Sequence, residues 1–334
     1  FIACGYGPTV SMKMKFKIKR YNPAEGEPGE PYFQAYTLEV EEGMTVLEAL
    51  LKIADEQDTT LSFRRSCRSA ICGSCAMNIN GFARLACNTQ VIPEHKKMGD
   101  MVIEPLSNHA PLKDLIVDFN PFWSRFEKVA PYLTPAQENG GAQVTAHDEE
   151  AIDKSQRCIM CGCCNSECNA LEIDDRYIGP AALSKAWRLV GDVREGNSKK
   201  RLEKLSEEHG MWNCVRCVHC TQYCPKGVSP LKQIESLRSR AMKEGVLDNP
   251  GAKHVEAMAD SVRRVGRLDE AAMTFRTLGF LRSLGMIPFG LKMEKHGKMP
   301  KPMIFPQIEN IAEVREIYEE AERLEKEGRE RKKR

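Results

Sequence analysis

Thirteen of the fourteen cysteines in this 334-residue chain fall into three tight groups, Cys67 to Cys87, Cys158 to Cys168 and Cys214 to Cys224. Only Cys4 stands apart, and it is expected to be incidental. Disulfide frameworks scatter cysteines so that bridges close loops, whereas most of these stand three to five residues from the next. Cysteine also makes up about 4% of the chain, below the roughly 8–10% of a disulfide scaffold. Thiolates this close need cations among them. The chain is therefore expected to bind metal and to work in a reducing compartment.

The spacing says which metal. Cys67-x4-Cys72-x2-Cys75 with Cys87 further on is the plant-type ferredoxin spacing for a 2Fe–2S cluster. Structural zinc sites, the competing reading, are usually built from paired Cys-x2-Cys knuckles. Gly73, between two ligands, is expected to let the backbone turn close to the sulfides. Arg64, Arg65 and Arg68 flank the first ligand and are expected to raise its potential, to contact a partner, or both.

Cys158-x2-Cys161-x2-Cys164-x3-Cys168 and Cys214-x2-Cys217-x2-Cys220-x3-Cys224-Pro225 repeat one design about 56 residues apart. In two-cluster ferredoxins the fourth cysteine of such a run ligates the other cluster. Cys158, Cys161, Cys164 and Cys224 are thus expected to hold one 4Fe–4S cluster. Cys168, Cys214, Cys217 and Cys220 are expected to hold a second, or a 3Fe–4S cluster if Cys217 does not bind. Cys163 would break the x2 spacing and is read as a buried, non-ligating thiol. His219, between two ligands, is read as a neighbour of the site rather than a ligand.

The elements that position these loops read as an α+β chain. Strands are expected at 14–21, 32–40, 76–79, 84–88 and 101–104, with a helix capped by Thr45 and Glu48 before the first cysteine loop. Beyond residue 150 the reading is helical, clearest over Ala181–Val190, Lys199–His209, Pro230–Lys243 and 310–330. The polar, Pro- and Gly-containing stretch 131–150 reads as linker. The division expected is a 2Fe–2S domain at 12–120, a linker at 121–147, a helical two-cluster domain at 148–290 and a helical extension at 291–334. The terminal helix is expected to pack on a neighbour, with Glu319–Arg323, Glu322–Lys326 and Glu325–Arg329 on its wet side. A membrane-surface role for the final RERKKR is the weaker reading.

Composition excludes other classes. With 49 Lys and Arg against 47 Asp and Glu, the chain lacks the cationic excess of a nucleic-acid binder. The apolar stretch Gly279 to Leu291 is too short to span a bilayer and is broken by Arg282. Starting at Phe1 rather than Met suggests processing or an incomplete N-terminus. No Gly-x-Gly-x-x-Gly, Walker loop or Ser/His/Asp set is present, so no nucleotide or catalytic substrate site is expected. Three redox centres without a substrate site describe an electron relay.

Over residues 14–245 the chain resembles the iron–sulfur subunit of succinate dehydrogenases and fumarate reductases. The resemblance rests on SCRSAICGSCAMNINGFARLAC, LKDLIVDFNPFW, DRYIGPAAL and CTQYCPKGVSP. It implies an N-terminal β-grasp ferredoxin domain joined to an all-α two-cluster domain. It also implies electron transfer between an FAD-containing dicarboxylate subunit and a quinone-reactive membrane anchor. The chain would then sit peripherally on the cytoplasmic or matrix face of a respiratory membrane, held by its partners. Most members lack a cysteine where Cys217 stands and carry 3Fe–4S there. The family's quinone-pocket Pro, Trp and His positions read Asn169, Ile173 and Val215 here, a departure from the usual build of that pocket. The extra cysteine is similar to the non-classical branch, whose anchor includes a cysteine-rich protein related to heterodisulfide reductase. The stretch from Gly266 to Pro302 is similar to the tail of that reductase's small iron–sulfur subunit. Electron delivery to such a cysteine-rich partner is one alternative. A free-standing carrier or redox sensor is another, disfavoured because transient carriers are usually small and strongly acidic.

Overall fold

The structure is a computed structural model that describes residues 11–23, 29–135, 143–298 and 307–331. Cys4, residues 136–142 of the expected linker and the last three residues of RERKKR lie outside them.

The N-terminal half is built on strands β1 (Met12–Arg20) and β2 (Tyr32–Val40), helix α1 (Val46–Glu56), strands β3 (Ala76–Ile79) and β4 (Phe82–Leu85), helix α2 (Val91–Met98) and strand β5 (Met101–Glu104). The sheet order is β2-β1-β5-β3-β4, with β1 and β5 parallel and the other pairs antiparallel. Period-two alternation puts Met14, Phe16 and Ile18 of β1 on the buried face. Val46, Leu47, Leu50 and Ile53 of α1 are buried in the same core, each contributing about 1.5–3 kcal/mol by burial. Thr45 and Glu48 form the expected capping box.

The buried face of β1 ends on a charge. The Arg20 guanidinium donates to Asp114 at 2.9 Å, Tyr36 Oη at 2.6 Å and Thr60 Oγ1 at 2.9 Å, and pairs with Asp58. Asp114 also accepts from the Ser62 backbone N–H at 2.9 Å. This network anchors the chain where the first cysteine loop departs. Removing one partner of a buried pair of this kind costs about 3–5 kcal/mol.

A short hairpin, β6 (Pro111–Lys113) and β7 (Ile116–Val117), leads to α3 (Asn120–Lys128). The segment expected as linker from residue 121 therefore begins as a helix. Phe122 and Phe126 are buried from the helix and Val129 at its C-cap, at the i, i+4, i+7 spacing of a helix face. Arg201 further fastens the segment, donating to the Val129 and Ala130 carbonyls at 2.9 and 2.7 Å.

Helices then dominate: α4 (Ala146–Gln156), α5 (Cys163–Ser166), α6 (Asn169–Ile173), α7 (Pro180–Val190), α8 (Ser198–Leu205), α9 (His219–Gln222) and α10 (Pro230–Lys243). The chain forms two compact units, Phe1–Arg240 and Ala241–Arg334, a different grouping from the division at the linker. Its cause is the side-chain bonding between the sheet region and the cysteine-rich helices. The Asn108 amide donates to the carbonyls of Asn165, Ser166 and Cys168 at 2.9, 3.1 and 3.2 Å. Glu167 accepts from the Ala83 N–H at 2.6 Å, and Phe82 stacks on Tyr223 with ring centroids 5.0 Å apart.

The second unit holds α11 (Pro250–Val265), α12 (Glu270–Leu278), α13 (Phe280–Leu284), α14 (Ile287–Lys295) and α15 (Ile311–Arg331). Helix α15 lies along α11, fixed by Arg263–Glu322 at 2.8 Å and by Tyr318 Oη donating to the Ala259 carbonyl at 3.2 Å. Arg323 pairs with Glu320 at 2.6 Å and with Glu327 at 3.5 Å rather than with Glu319. Phe280, Leu281, Ile287, Phe289 and Leu291 are all exposed. No helix among the described residues is long and apolar enough to cross a membrane.

Candidate iron–sulfur centres

The loop carrying Cys67, Cys72 and Cys75 is shaped by three left-handed residues, Arg68, Ala70 and Gly73, with φ of 57°, 55° and 75°. Such conformations cost roughly 1–2 kcal/mol at a residue with a side chain and persist where the geometry is useful. Here they turn successive N–H groups inward. Those of Ser69, Ile71 and Cys72 donate to Cys67 Sγ at 3.3–3.4 Å, and that of Ala70 donates to Cys87 Sγ at 3.3 Å. Cys87 lies on a 3-10 turn, Ala86–Asn88, just past β4, not within a strand as expected. Arg64, Arg65 and Arg68 are exposed, with Arg64 stacked over Phe119 and Arg65 over Phe63.

The two later runs share a backbone. The residue before the second cysteine and the residue after it are both left-handed: Met160 and Gly162 in one run, Arg216 and Val218 in the other. Each run then enters a one-turn helix, α5 or α9, and these two helices pack together. Two cavities result. Cys158, Cys161, Cys164 and Cys224 line one; Cys168, Cys214, Cys217 and Cys220 line the other. The fourth cysteine of each run has crossed to its partner's cavity. Cys163 is fully buried beside Ala83, Leu106 and Val117 and lines neither. His219 lines neither and meets Tyr223 edge-on at 6.2 Å.

The donor chemistry fits clusters. Burial pushes the Cys75 thiol up to about 12, Cys220 to about 12 and Cys168 to about 11, and drives Cys164 well above the ordinary range. Neighbouring thiols add to each shift. Thiols like these ionise at neutral pH only when a cation replaces the proton. Cys72 differs: the Ser74 hydroxyl, 3.0 Å from its sulfur, lowers it to about 6. Two buried hydroxyls make the same point. Ser184 is among the residues lining the first four-cysteine cavity and Tyr177 among those lining the second, and neither hydroxyl has a hydrogen-bond partner among the described residues. A buried orphan polar group costs about 1–3 kcal/mol unless something bonds it.

Further residues hold the second cavity in place. Arg238 is buried and donates to the carbonyls of Met211 at 2.7 Å and Cys214 at 2.8 Å. The spacing of the cysteines gives no sign of Tyr177, Ser184 or Arg238; Tyr177 falls within DRYIGPAAL, where sequence alone assigns it no task. Asn169, Ile173 and Val215, the positions expected to differ from the family's quinone pocket, are exposed.

The sequence matches a 2Fe-2S iron-sulfur cluster binding domain over residues 15–124 and a 4Fe-4S dicluster domain over 154–228. It is 37% identical over 302 residues to the 8-methylmenaquinol:fumarate reductase iron-sulfur subunit of Wolinella succinogenes, covering 87% of this chain and 92% of the relative. The chain belongs to the family of iron–sulfur subunits of succinate dehydrogenases and fumarate reductases. Its fold is similar to a chain of the Mycobacterium smegmatis Sdh1 complex in the apo form, with a TM-score of 0.61 and 23% identity, covering 71% of this chain and 98% of that one. A member of this family is an electron-transfer subunit of an oxidoreductase complex and carries 2Fe–2S and 4Fe–4S clusters.

Proposed function

We propose that the chain relays electrons between a flavoprotein subunit acting on a dicarboxylate and a membrane-held quinone-reactive subunit, through three clusters. In this reading Cys67, Cys72, Cys75 and Cys87 hold 2Fe–2S. Cys158, Cys161, Cys164 and Cys224 hold one 4Fe–4S cluster, and Cys168, Cys214, Cys217 and Cys220 hold a second. Bound there, each cluster accepts and releases one electron at a time. Residues 12–120 and 148–290 are the two cluster-holding domains, 121–147 joins them, and 291–334 is an extension. The partners hold the chain peripherally on the membrane. The name of the Wolinella relative supports fumarate as the dicarboxylate and a methylated menaquinol as the electron source.

One observation carries the relay. A Cβ on Gly73, between Cys72 and Cys75, would stand 2.8 Å from Cys161 Cβ and 3.1 Å from the Ile159 carbonyl oxygen. The loop of the first centre thus rests on the loop of the second. Lys226, two residues past Cys224, bridges the same junction by donating to the Ala70 carbonyl at 3.3 Å. Loops in van der Waals contact supply a short path for an electron, and the pairing of α5 with α9 extends it to the third centre.

Purification of the tagged chain from its own cells tests the reading. A flavoprotein with dicarboxylate activity is expected to come with it, and the flavin-free chain is expected to show none. Succinate or fumarate turnover by the isolated chain would refute the relay.

A further inference from the structure

We infer that each of the two four-cysteine cavities has its own hydroxyl donor to cluster sulfur, Ser184 in the first and Tyr177 in the second, and that these two residues set the potentials of their clusters separately. Tyr177 and Ser184 are each 1% exposed. Ser184 lies inside helix α7, where a serine ordinarily returns its hydroxyl to the carbonyl four residues back. No such bond forms here. Tyr177 is among the largest fully buried side chains of the protein, and a buried tyrosine hydroxyl ordinarily finds a partner. Both side chains instead border the cavities that their neighbouring thiols line.

The two cavities are otherwise built alike, and each contains one orphan hydroxyl. Of the eight buried side-chain atoms without a partner among the described residues, these two belong to residues at the cysteine-lined cavities, one at each. The acceptors at hand are sulfurs: the thiolates and, when the clusters are bound, their sulfides. Reduction adds negative charge, so an O–H donor stabilises the reduced form and raises the potential. The hydroxyls therefore act as positioning residues that tune the clusters.

The inference rests on the ligand sets proposed above, and the two can fail separately. The test uses the full chain with its clusters, with iron counted first and each midpoint then followed by EPR in a potentiometric titration. Tyr177→Phe is expected to lower the potential of the third centre and leave the other 4Fe–4S midpoint in place. Ser184→Ala is expected to do the reverse, and Ser184→Thr, which keeps the hydroxyl, to restore the wild-type value. Each hydroxyl-free variant is also expected to lose an exchangeable-proton coupling at its own cluster when samples in H2O and D2O are compared. Unchanged midpoints at full iron content would overturn the inference and leave the ligand sets standing. A shift of both midpoints by one substitution would overturn it too. Iron counts too low for three clusters in the wild type would instead remove the ligand sets. If Tyr177→Phe folds but cannot hold its cluster, the tyrosine is structural and the inference fails there; Ser184→Ala against Ser184→Thr then decides the other cavity.

Discussion

The two four-cysteine runs have one backbone and different surroundings. In the run beginning at Cys158 the left-handed position after the second cysteine is Gly162; in the run beginning at Cys214 it is Val218, with φ of 82° and 72°. A β-branched residue in that conformation is a genuine outlier. The difference follows from what lies above each loop. A Cβ on Gly162 would meet Phe119 Cζ at 3.2 Å and Leu106 Cδ1 at 3.3 Å, whereas Val218 is 48% exposed. Cysteine spacing dictates the turn in both runs, and neighbouring packing decides which side chain each turn tolerates. The first run is covered at Gly162 by Phe119 and Leu106 while Met160 stays exposed, and the second is open to solvent at Val215 and Val218.

The most damaging way to break the comparison is to give the enclosed loop the open loop's residue. Gly162→Val adds left-handed strain and overpacking together, about 3–5 kcal/mol. The variant is expected to lose the first 4Fe–4S cluster, and with it about four irons per chain. Wild-type iron and melting temperature would refute the packing argument. Gly73→Ala presses on the same loop from the other side. It is expected to cost about 2–4 kcal/mol and to weaken the magnetic coupling between the 2Fe–2S and first 4Fe–4S centres seen by EPR. Gly81→Ala is its control, being left-handed at φ +81° with nothing within 4 Å of the added carbon. Equal coupling in Gly73→Ala and the control would remove Gly73 as the spacer.

Cys217→Ser acts on the open loop alone. If the thiol holds a fourth iron, the variant should contain about nine irons instead of about ten. Prepared without air, it should also gain the EPR signal of an oxidised 3Fe–4S cluster. A stoichiometric signal of that kind in the wild type would defeat the 4Fe–4S assignment. The smallest effect is expected from Val218→Gly, which makes the open loop like the enclosed one. Relief of strain, less the backbone entropy of glycine, should stabilise the protein by under about 1 kcal/mol, read as a higher denaturant midpoint at constant slope. A lower midpoint would show that Val218 is packed, not strained.

Much of this arrangement was legible because it is local. Thr45 and Glu48 fix a helix start within four residues, and Cys-x2-Cys-x2-Cys-x3-Cys fixes the shape of a loop. The remainder depends on tertiary neighbours. The helix at Asn120 was hidden because Phe122, Phe126 and Val129 sit between prolines and a polar stretch that read as linker. The grouping of both cysteine-rich halves into one unit depends on Asn108 and Glu167 reaching across the chain. The orphan state of Tyr177 and Ser184 is a property of every atom around them, and no spacing rule contains it.

The apolar side chains left uncovered on α13 and α14 bear on how the protein behaves at the bench. Phe280, Leu281 and Leu291 are 68%, 82% and 61% exposed, within a dozen residues of one another. Contiguous apolar surface of this kind drives self-association in water. The chain made without its partners is therefore expected to form concentration-dependent aggregates that mild detergent disperses. Its yield should depend on what is co-expressed with it more than on how well its clusters assemble.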